Sequence, residues 1–478
     1  MSEKNPDTAS LRYTLLIGLG FMTTGISWSM YNTYVPIMLE KTWFVRDSLY
    51  FALPGLFIIG VIMTFDNVIA WFIQPWIGAK SDNTWFEKWG RRMPYLLIGI
   101  PLSAVAFVGI PIVWWLFPGA EFPNAVGLLA LLLFMLTINI FNVFMAFYRS
   151  PVVALMPDLI PPEDRTKANG AINLMGGLGS VIAFFAGKFI VGLGRSIGEP
   201  QGLGDQIGFI FGFAATALVM VVVLVILKLT IIESKTPFGR ELEEKVNLTD
   251  SFREVFGSKD RSGVFILLAI FLWFTGYQAM ETFFSLYGVY TLGFADVEDA
   301  VFYLNAFAIP FLIFAIPGGL IANKIGRSKT IRIGLIGVLV ALLPLALLPM
   351  RIIAQNSLST ALLILIICLI IGGSFWALVN INSIVIVWEI GGEKRGAYTG
   401  LYYFFATLAA VIGPPLVGGL LYVFAGIFST EITDGLFAIS WLALALAFVV
   451  MFGVKSGELG QKLKDSDEKQ EPTQLTSE

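Results

Sequence analysis

Long apolar runs dominate the chain, and short polar connectors separate them. A helix needs about 20 residues to cross the hydrocarbon of a bilayer. Runs of that kind are predicted at 12–38, 54–78, 94–117, 124–157, 168–193, 207–232, 263–292, 299–322, 331–350, 359–389, 397–425 and 435–454. Short connectors suit antiparallel neighbours. The exception is the stretch 232–262 between spans six and seven, which is rich in Glu, Lys and Arg. The pattern predicts an all-α membrane protein of twelve transmembrane helices in two pseudo-symmetric six-helix bundles. The expected bounds are 1–233 for the first bundle, 234–262 for a central loop and 263–454 for the second bundle. A polar, charged tail at 455–478 is expected to be disordered.

Composition agrees with lipid as the solvent. Hydrophobic residues make up 56% of the 478 positions and charged residues only 14%, with a mean hydropathy of +0.79. A soluble domain carries about 25% charged residues, and this chain lacks the charges to build such a surface. The net charge of −3 and the lack of a basic domain give no case for nucleic acid. The single cysteine, Cys368, lies in an apolar run, so no disulfide framework or cysteine metal cluster is expected. Histidine is absent, which removes the usual general base and the commonest metal ligand. Proton chemistry must then fall to carboxylates, and neither a metal nor a cofactor is expected. The polar residues Met1 to Ser10 carry no cleavable signal before the first apolar run.

Charge in the connectors sets the orientation. Lys80, Lys88, Arg91, Arg92, Arg165, Lys167, Lys324, Arg327, Lys329, Arg332, Lys394 and Arg395 fall in alternate connectors, as do Lys235, Arg240, Lys245 and Arg261 of the middle loop. The opposite connectors hold only Lys41, Arg46, Arg195 and Arg351. The positive-inside rule makes the basic side cytoplasmic, with both termini on it.

The chain also repeats itself. After span two it reads Gly78-Ala79-Lys80-Ser81-Asp82 and then Gly90-Arg91-Arg92; after span eight it reads Gly319 to Asn323, Lys324 and then Gly326-Arg327. The loop after span four, Asp164-Arg165 to Gly170, is echoed after span ten by Lys394-Arg395 to Gly400. Both pairs fall where two parallel halves would put them.

The Gly-x-x-x-Asp…Gly-Arg-Arg loop resembles the signature loop of the major facilitator superfamily. The wider segment from Ile73-Gln74-Pro75-Trp76 through Ser81-Asp82 to Gly90-Arg91-Arg92-Met93-Pro94 is similar to the sucrose/proton symporter branch of the glycoside–pentoside–hexuronide:cation symporter family. So are Ala154-Leu155-Met156-Pro157-Asp158-Leu159, Lys167-Ala168-Asn169, Gly179 to Gly187, and Tyr398-Thr399-Gly400-Leu401-Tyr402-Tyr403-Phe404. The resemblance implies a sugar carrier driven by a cation. The chain departs from plant members in the spacing from Asp82 to Gly90 and in carrying Asn142 near where they place a functional Asp. Sodium-using melibiose permeases of the wider family place acids in span two at positions that match Ala70 and Gln74 here, which argues against a sodium site.

Charges inside hydrocarbon are costly and by default mark a pathway. Asp66 in span two lies roughly 18 Å along the helix from the basic loop, near mid-membrane. Its bland reading is a structural pair with Arg149. Arg149 in span four shares a helical face with Asn139, Asn142 and Ala146; it either lines an internal path or snorkels at the cytoplasmic end. Glu281 in span seven shares a polar face with Tyr277 and Gln278. Asp66 and Glu281 are the candidate proton carriers. Lys188 reads as a snorkelling residue near the outer end of span five.

Sugars are held by hydroxyl hydrogen bonds to amides or carboxylates and by aromatic faces on the ring C–H groups. Candidate substrate residues are Trp28, Tyr31, Asn32, Asn67, Asn139, Asn142, Arg149, Tyr277, Gln278, Asn305, Trp376 and Asn380. The bland alternatives are interfacial aromatics and helix–helix hydrogen bonds. Asp82, Gly90, Arg91, Arg92, Glu389 and Arg395 are expected to form a gating lock, with Asp82 pairing to basic residues or helix ends. Gly176, Gly177 and Gly179 are expected to form a small-residue contact face. No strand precedes them, so they are no nucleotide loop.

The resulting expectation is a secondary active transporter, not an enzyme: a monomer in the plasma (inner) membrane that moves a sugar or glycoside with a proton by alternating access. The alternatives are a facilitator or exporter of another small solute, and a non-transporting sensor.

Overall fold

The computed structural model describes residues 11–45, 48–50, 52–117, 124–160, 165–231, 233, 248–257, 260–391 and 395–455. The predicted tail beyond Lys455 and most of the predicted central loop lie outside the described residues. The described residues are almost entirely helical: α1 Leu11–Thr42, α2 Gly55–Met63, α3 Phe65–Asp82, α4 Met93–Leu116, α5 Ala125–Leu159, α6 Arg165–Ala186, α7 Gly192–Gly198, α8 Gly204–Thr230, α9 Leu248–Gly257, α10 Ser262–Tyr290, α11 Val297–Phe302, α12 Asn305–Ile325, α13 Arg327–Leu347, α14 Met350–Asn356, α15 Leu358–Gly391, α16 Arg395–Phe428 and α17 Leu436–Val450. A two-residue hairpin, Leu49–Tyr50 with Leu53–Pro54, precedes α2.

Eleven helical segments among the described residues are long and apolar enough to cross a membrane. With α1, which is 32 residues long, they give the expected twelve spans. Threonines, serines, glycines and tyrosines make α1 the more polar helix, and several of them face other helices. Spans two, five and eight are composite: α2 with α3, α6 with α7, and α11 with α12.

Two of the composite spans, two and eight, share a cause. At Thr64 the backbone tightens to i→i+3 bonding (Thr64 N to Val61 O at 3.2 Å and Asn67 N to Thr64 O at 3.1 Å), and the Thr64 hydroxyl donates back to Val61 O at 2.8 Å. Such tightening and side-chain back-bonding bend helices. Asp66 therefore sits in the first turn of a restarted helix. Span eight breaks the same way, with Leu304 N to Val301 O at 2.9 Å and Phe307 N to Leu304 O at 3.0 Å, and Asn305 closes the end of α11 through Phe302 O at 3.0 Å. The two breaks fall at nearly matching distances before Asp82 and Asn323, as the internal repeat requires. Span five instead passes through a π turn at Gly187–Val191 before α7.

Within the first bundle α1 packs along α6, and α4 against α5 and α8; in the second, α15 packs on α12 and α13, and α10 on α16 and α17. Gly176 and Gly179 face α1, while Gly177 faces Leu312 of the other bundle. The bundles meet where α2 lies on α16 and α1 on α10. There Gly60 abuts the Pro414 backbone and Gly418 abuts Leu56 O, so closely that a side chain at either position would enter the opposing main chain. Small residues permit this approach of helices in hydrocarbon.

Candidate functional site

Asp66, Arg149 and Glu281 come from three spans, and both Arg149 and Glu281 lie within electrostatic reach of Asp66. Asp66 is 2% exposed and accepts a hydrogen bond from Asn67 Nδ2 at 2.8 Å. Arg149 is exposed, stands 5.5 Å from the centre of the Trp28 ring, and feels Tyr403 of α16 as well as Asp66. Glu281 Oε1 accepts from Asn32 Nδ2 at 3.1 Å. That bond crosses from α1 to α10 and so joins the two bundles.

Aromatic faces flank these charges. On the first bundle Trp28 packs on Tyr31 at 6.2 Å and Tyr31 on Phe141 at 5.7 Å. On the second, Tyr277 stacks on Trp376 at 5.1 Å with the rings only 7° from parallel. Phe307, just past the break in span eight, lies 6.3 Å from Tyr277.

The Tyr31 hydroxyl and both polar atoms of Asn142 are buried beside one another, yet none has a hydrogen-bond partner within strict geometry. Asn305 Oδ1 is likewise unpaired. Tyr31 and Asn142 lie within reach of each other, and a buried polar group left without a partner is costly in native proteins. Asn139 instead donates to Met135 O of its own helix at 2.7 Å. Gln278 and Asn380 are half-buried.

At the basic end Gly90, Arg91 and Arg92 form a cluster with Asp158 and Glu233, all within the first bundle, so the expected gating contact to the other bundle is not seen among the described residues. Arg91 Nη2 reaches Asp158 Oδ1 at 3.0 Å, and Arg92 Nε reaches Oδ2 at 2.7 Å. The Glu233 carboxylate accepts from the main-chain N–H groups of Arg91, Arg92 and Met93 at 2.9 to 3.1 Å. It thereby caps the start of α4, where unpaired N–H groups favour an anion. Burial pushes the Glu233 carboxyl up, and these amides pull against that rise. In the second bundle Arg327 binds Asn323 Oδ1 at 2.5 Å, Asn382 Oδ1 at 2.8 Å and Glu389 at 3.4 Å. Asp158 and Glu389 hold equivalent places in the repeat, each receiving the arginine that follows the Gly-x-x-x-Asp/Asn loop. The side chains of Asp82 and Arg395 lie outside the described residues.

Gly90 adopts φ +76°, and a Cβ there would stand 2.6 Å from the Glu233 carboxyl carbon. Gly90→Ala is therefore expected to lower the apparent unfolding temperature, because the left-handed backbone alone costs about 1–2 kcal/mol and Glu233 would be driven off its amides. Differential scanning fluorimetry on the purified protein reads this; an unchanged transition would mean that the loop rearranges freely.

The opposite end carries a latch between the bundles that sequence reading missed. Arg195 of α7 reaches Asp296 at 2.9 Å and Glu298 at 2.7 and 3.0 Å, and it also contacts Asp205. Lys188 pairs with Asp299, which replaces its expected snorkelling with a contact to the other bundle. The Tyr290 hydroxyl donates to Glu40. Lys41 meets Asp205 at 2.6 Å. The sequence signal was the pairing of lone cations after span five with an acidic run before span eight, but nothing in the sequence brings those spans together.

Thiol labelling tests the polar face of span four. With Cys368 replaced, cysteines at Asn139, Asn142 and Arg149 should react with a water-soluble thiol reagent. Uniform silence under inward- and outward-favouring conditions would mean that the face packs against another helix.

Comparison with known proteins agrees with this architecture. The sequence profile of the Major Facilitator Superfamily matches residues 17–414 and 306–477. Among curated proteins, the Bacillus subtilis (strain 168) protein "Multidrug resistance protein 2" is 24% identical over 279 residues, spanning 58% of this chain and 63% of that one. The chain thus spans less than two thirds of that relative's length. Among solved structures, the inward open xylose transporter XylE from E. coli superposes with a TM-score of 0.68 at 17% identity, covering 95% of this chain and 99% of that one. The nucleoside transporter NupG gives 0.64 at 15% identity, with coverage of 93% and 100%. At these identities the likeness is one of fold. With the family profile matching most of its length, the chain belongs to the Major Facilitator Superfamily.

Proposed function

We propose that the chain is a proton-coupled sugar or glycoside carrier of the glycoside–pentoside–hexuronide:cation symporter family, close to its sucrose/proton branch. The observation that carries this reading is the Asn32–Glu281 bond between the bundles, set among Asp66, Arg149 and the Tyr277–Trp376 stack. Amides and carboxylates suit sugar hydroxyls, and parallel aromatic faces suit the C–H faces of a pyranose ring. A D-xylose-proton symporter is among the solved structures of similar fold, at a TM-score of 0.65.

In this reading the substrate binds between the bundles and completes the hydrogen bonding of Tyr31, Asn142 and Asn305. Asp66, and then Glu281, hold the coupling proton. An ionised Asp66 attracts Arg149; protonation cancels that attraction and frees Arg149 to settle elsewhere. A group whose charge alters the contact between elements biases which access state is populated. The protein is a monomer in the plasma membrane with its basic end and both termini in the cytoplasm.

A second reading is export of another small solute: a relative is named a multidrug resistance protein, and an acidic and aromatic site also suits an organic cation. Proteoliposomes separate the two. Uptake of a labelled glycoside from a panel, rising with an imposed pH gradient, supports the first reading. Gradient-driven movement of a lipophilic cationic dye with no glycoside flux replaces it with the second.

A further inference from the structure

We propose that the crevice between α12 and α13 at the basic end binds an anionic phospholipid, its phosphate held by Lys324, Lys329 and Arg332. The crevice has a volume of about 560 Å³ and is lined by those three cations with Ile325 and Ile333. No acid is in its lining. Lys324 and Lys329 are exposed and have no ion-pair partner among the described residues. Arg332 is held in place, since it donates to Met451 O at 2.9 Å and Val454 O at 3.0 Å and lies 5.4 Å from the Phe452 ring centre. Those partners are neutral, so its charge is not cancelled, and its buried Nε has no acceptor.

The adjacent Arg327 shows what a satisfied cation looks like here, with Glu389 at 3.4 Å. Three like charges around one concave space repel unless an anion joins them. The shape of the surroundings says which anion. Above the crevice, Leu320, Ile321 and Ile325 on α12 and Ile333, Ile336 and Val340 on α13 are exposed. They form an apolar gutter that climbs into the membrane from the charged mouth. A free phosphate would use the cations alone; a phospholipid uses both parts, with acyl chains in the gutter and headgroup on the cations. Basic pockets between transmembrane helices recognise anionic headgroups in this way.

Native mass spectrometry of the detergent-purified full chain tests the proposal, with phosphatidylglycerol, phosphatidylcholine or inorganic phosphate added. Phosphatidylglycerol should remain bound where phosphatidylcholine does not. The double variant Lys324→Gln with Lys329→Gln should weaken its retention about thirtyfold, given the attraction of each cation near an anionic surface. Ile333→Trp keeps every charge but fills the crevice, and it should lose the lipid at an unchanged unfolding temperature. Equal retention of both lipids, displacement of phosphatidylglycerol by inorganic phosphate, or normal lipid binding by both variants would overturn the proposal.

Discussion

Asp66→Asn should stop accumulation of substrate in response to a pH gradient while leaving exchange across the membrane measurable. The asparagine has the shape of the protonated acid and cannot release a proton. A carrier frozen in that form still binds and turns over substrate, but its cycle is no longer tied to proton movement. For one proton per substrate, a gradient of one pH unit supports about tenfold accumulation, and the variant should fall to no accumulation at all. Counterflow of labelled against unlabelled substrate in proteoliposomes checks the retained half of the claim. If Asp66→Asn still concentrates substrate under a pH gradient, the coupling group is elsewhere, and Glu281→Gln is the next variant.

Arg195→Met should move the resting protein toward the state that is open at the end opposite the basic loops. Arg195 links its own bundle, through Asp205, to Asp296 and Glu298 of the other. Glu298 is 3% exposed, and removing the partner of a buried charge costs about 3–5 kcal/mol. That cost falls on the closed latch and spares the open state, where water reaches Glu298. A change of about 5.5 kcal/mol suffices to invert a 99:1 equilibrium, so even part of it redistributes the population. Spin labels at Leu53→Cys and Thr430→Cys, on a background lacking Cys368, should report a longer distance in the variant. An unchanged distance distribution would show that Lys188 with Asp299 and Glu40 with Tyr290 close the gate unaided.

The twelve spans were legible because hydropathy over about 20 residues is a local property, and lipid leaves a helix no other choice. The same logic exposed Asp66, Arg149 and Glu281, since a charge in such a run is conspicuous at once. The breaks at Thr64 and near Leu304 were not legible: threonine and tyrosine are common in helices, and the turn tightens only through particular backbone and hydroxyl contacts. The partners of Arg91 and Arg92 were missed because Asp158 and Glu233 stand far along the chain, each at the end of its own helix. Arg195 was taken as a mark of topology because its acids come from the other bundle. Of the candidate substrate residues, the structure gathers Trp28, Tyr31, Asn32 and Asn142 near Glu281, Tyr277 and Trp376. Asn139 spends its amide on its own backbone, a use no spacing reveals.

The contact of Gly60 with the Pro414 backbone, and of Gly418 with Leu56 O, has a mechanical meaning. Two bodies that rock against each other move least where they touch most closely, and these glycines make that place a fulcrum. The latch of Arg195 and Lys188 crosses from one bundle to the other, so an ion pair broken there frees the two bodies to turn about this contact, whereas the clusters at the basic end stay within their own bundles and ride with them. A larger residue at either glycine would push the fulcrum outward and change how far each mouth opens for the same rotation. The closeness of the two bundles there is thus set by two hydrogen atoms in place of side chains.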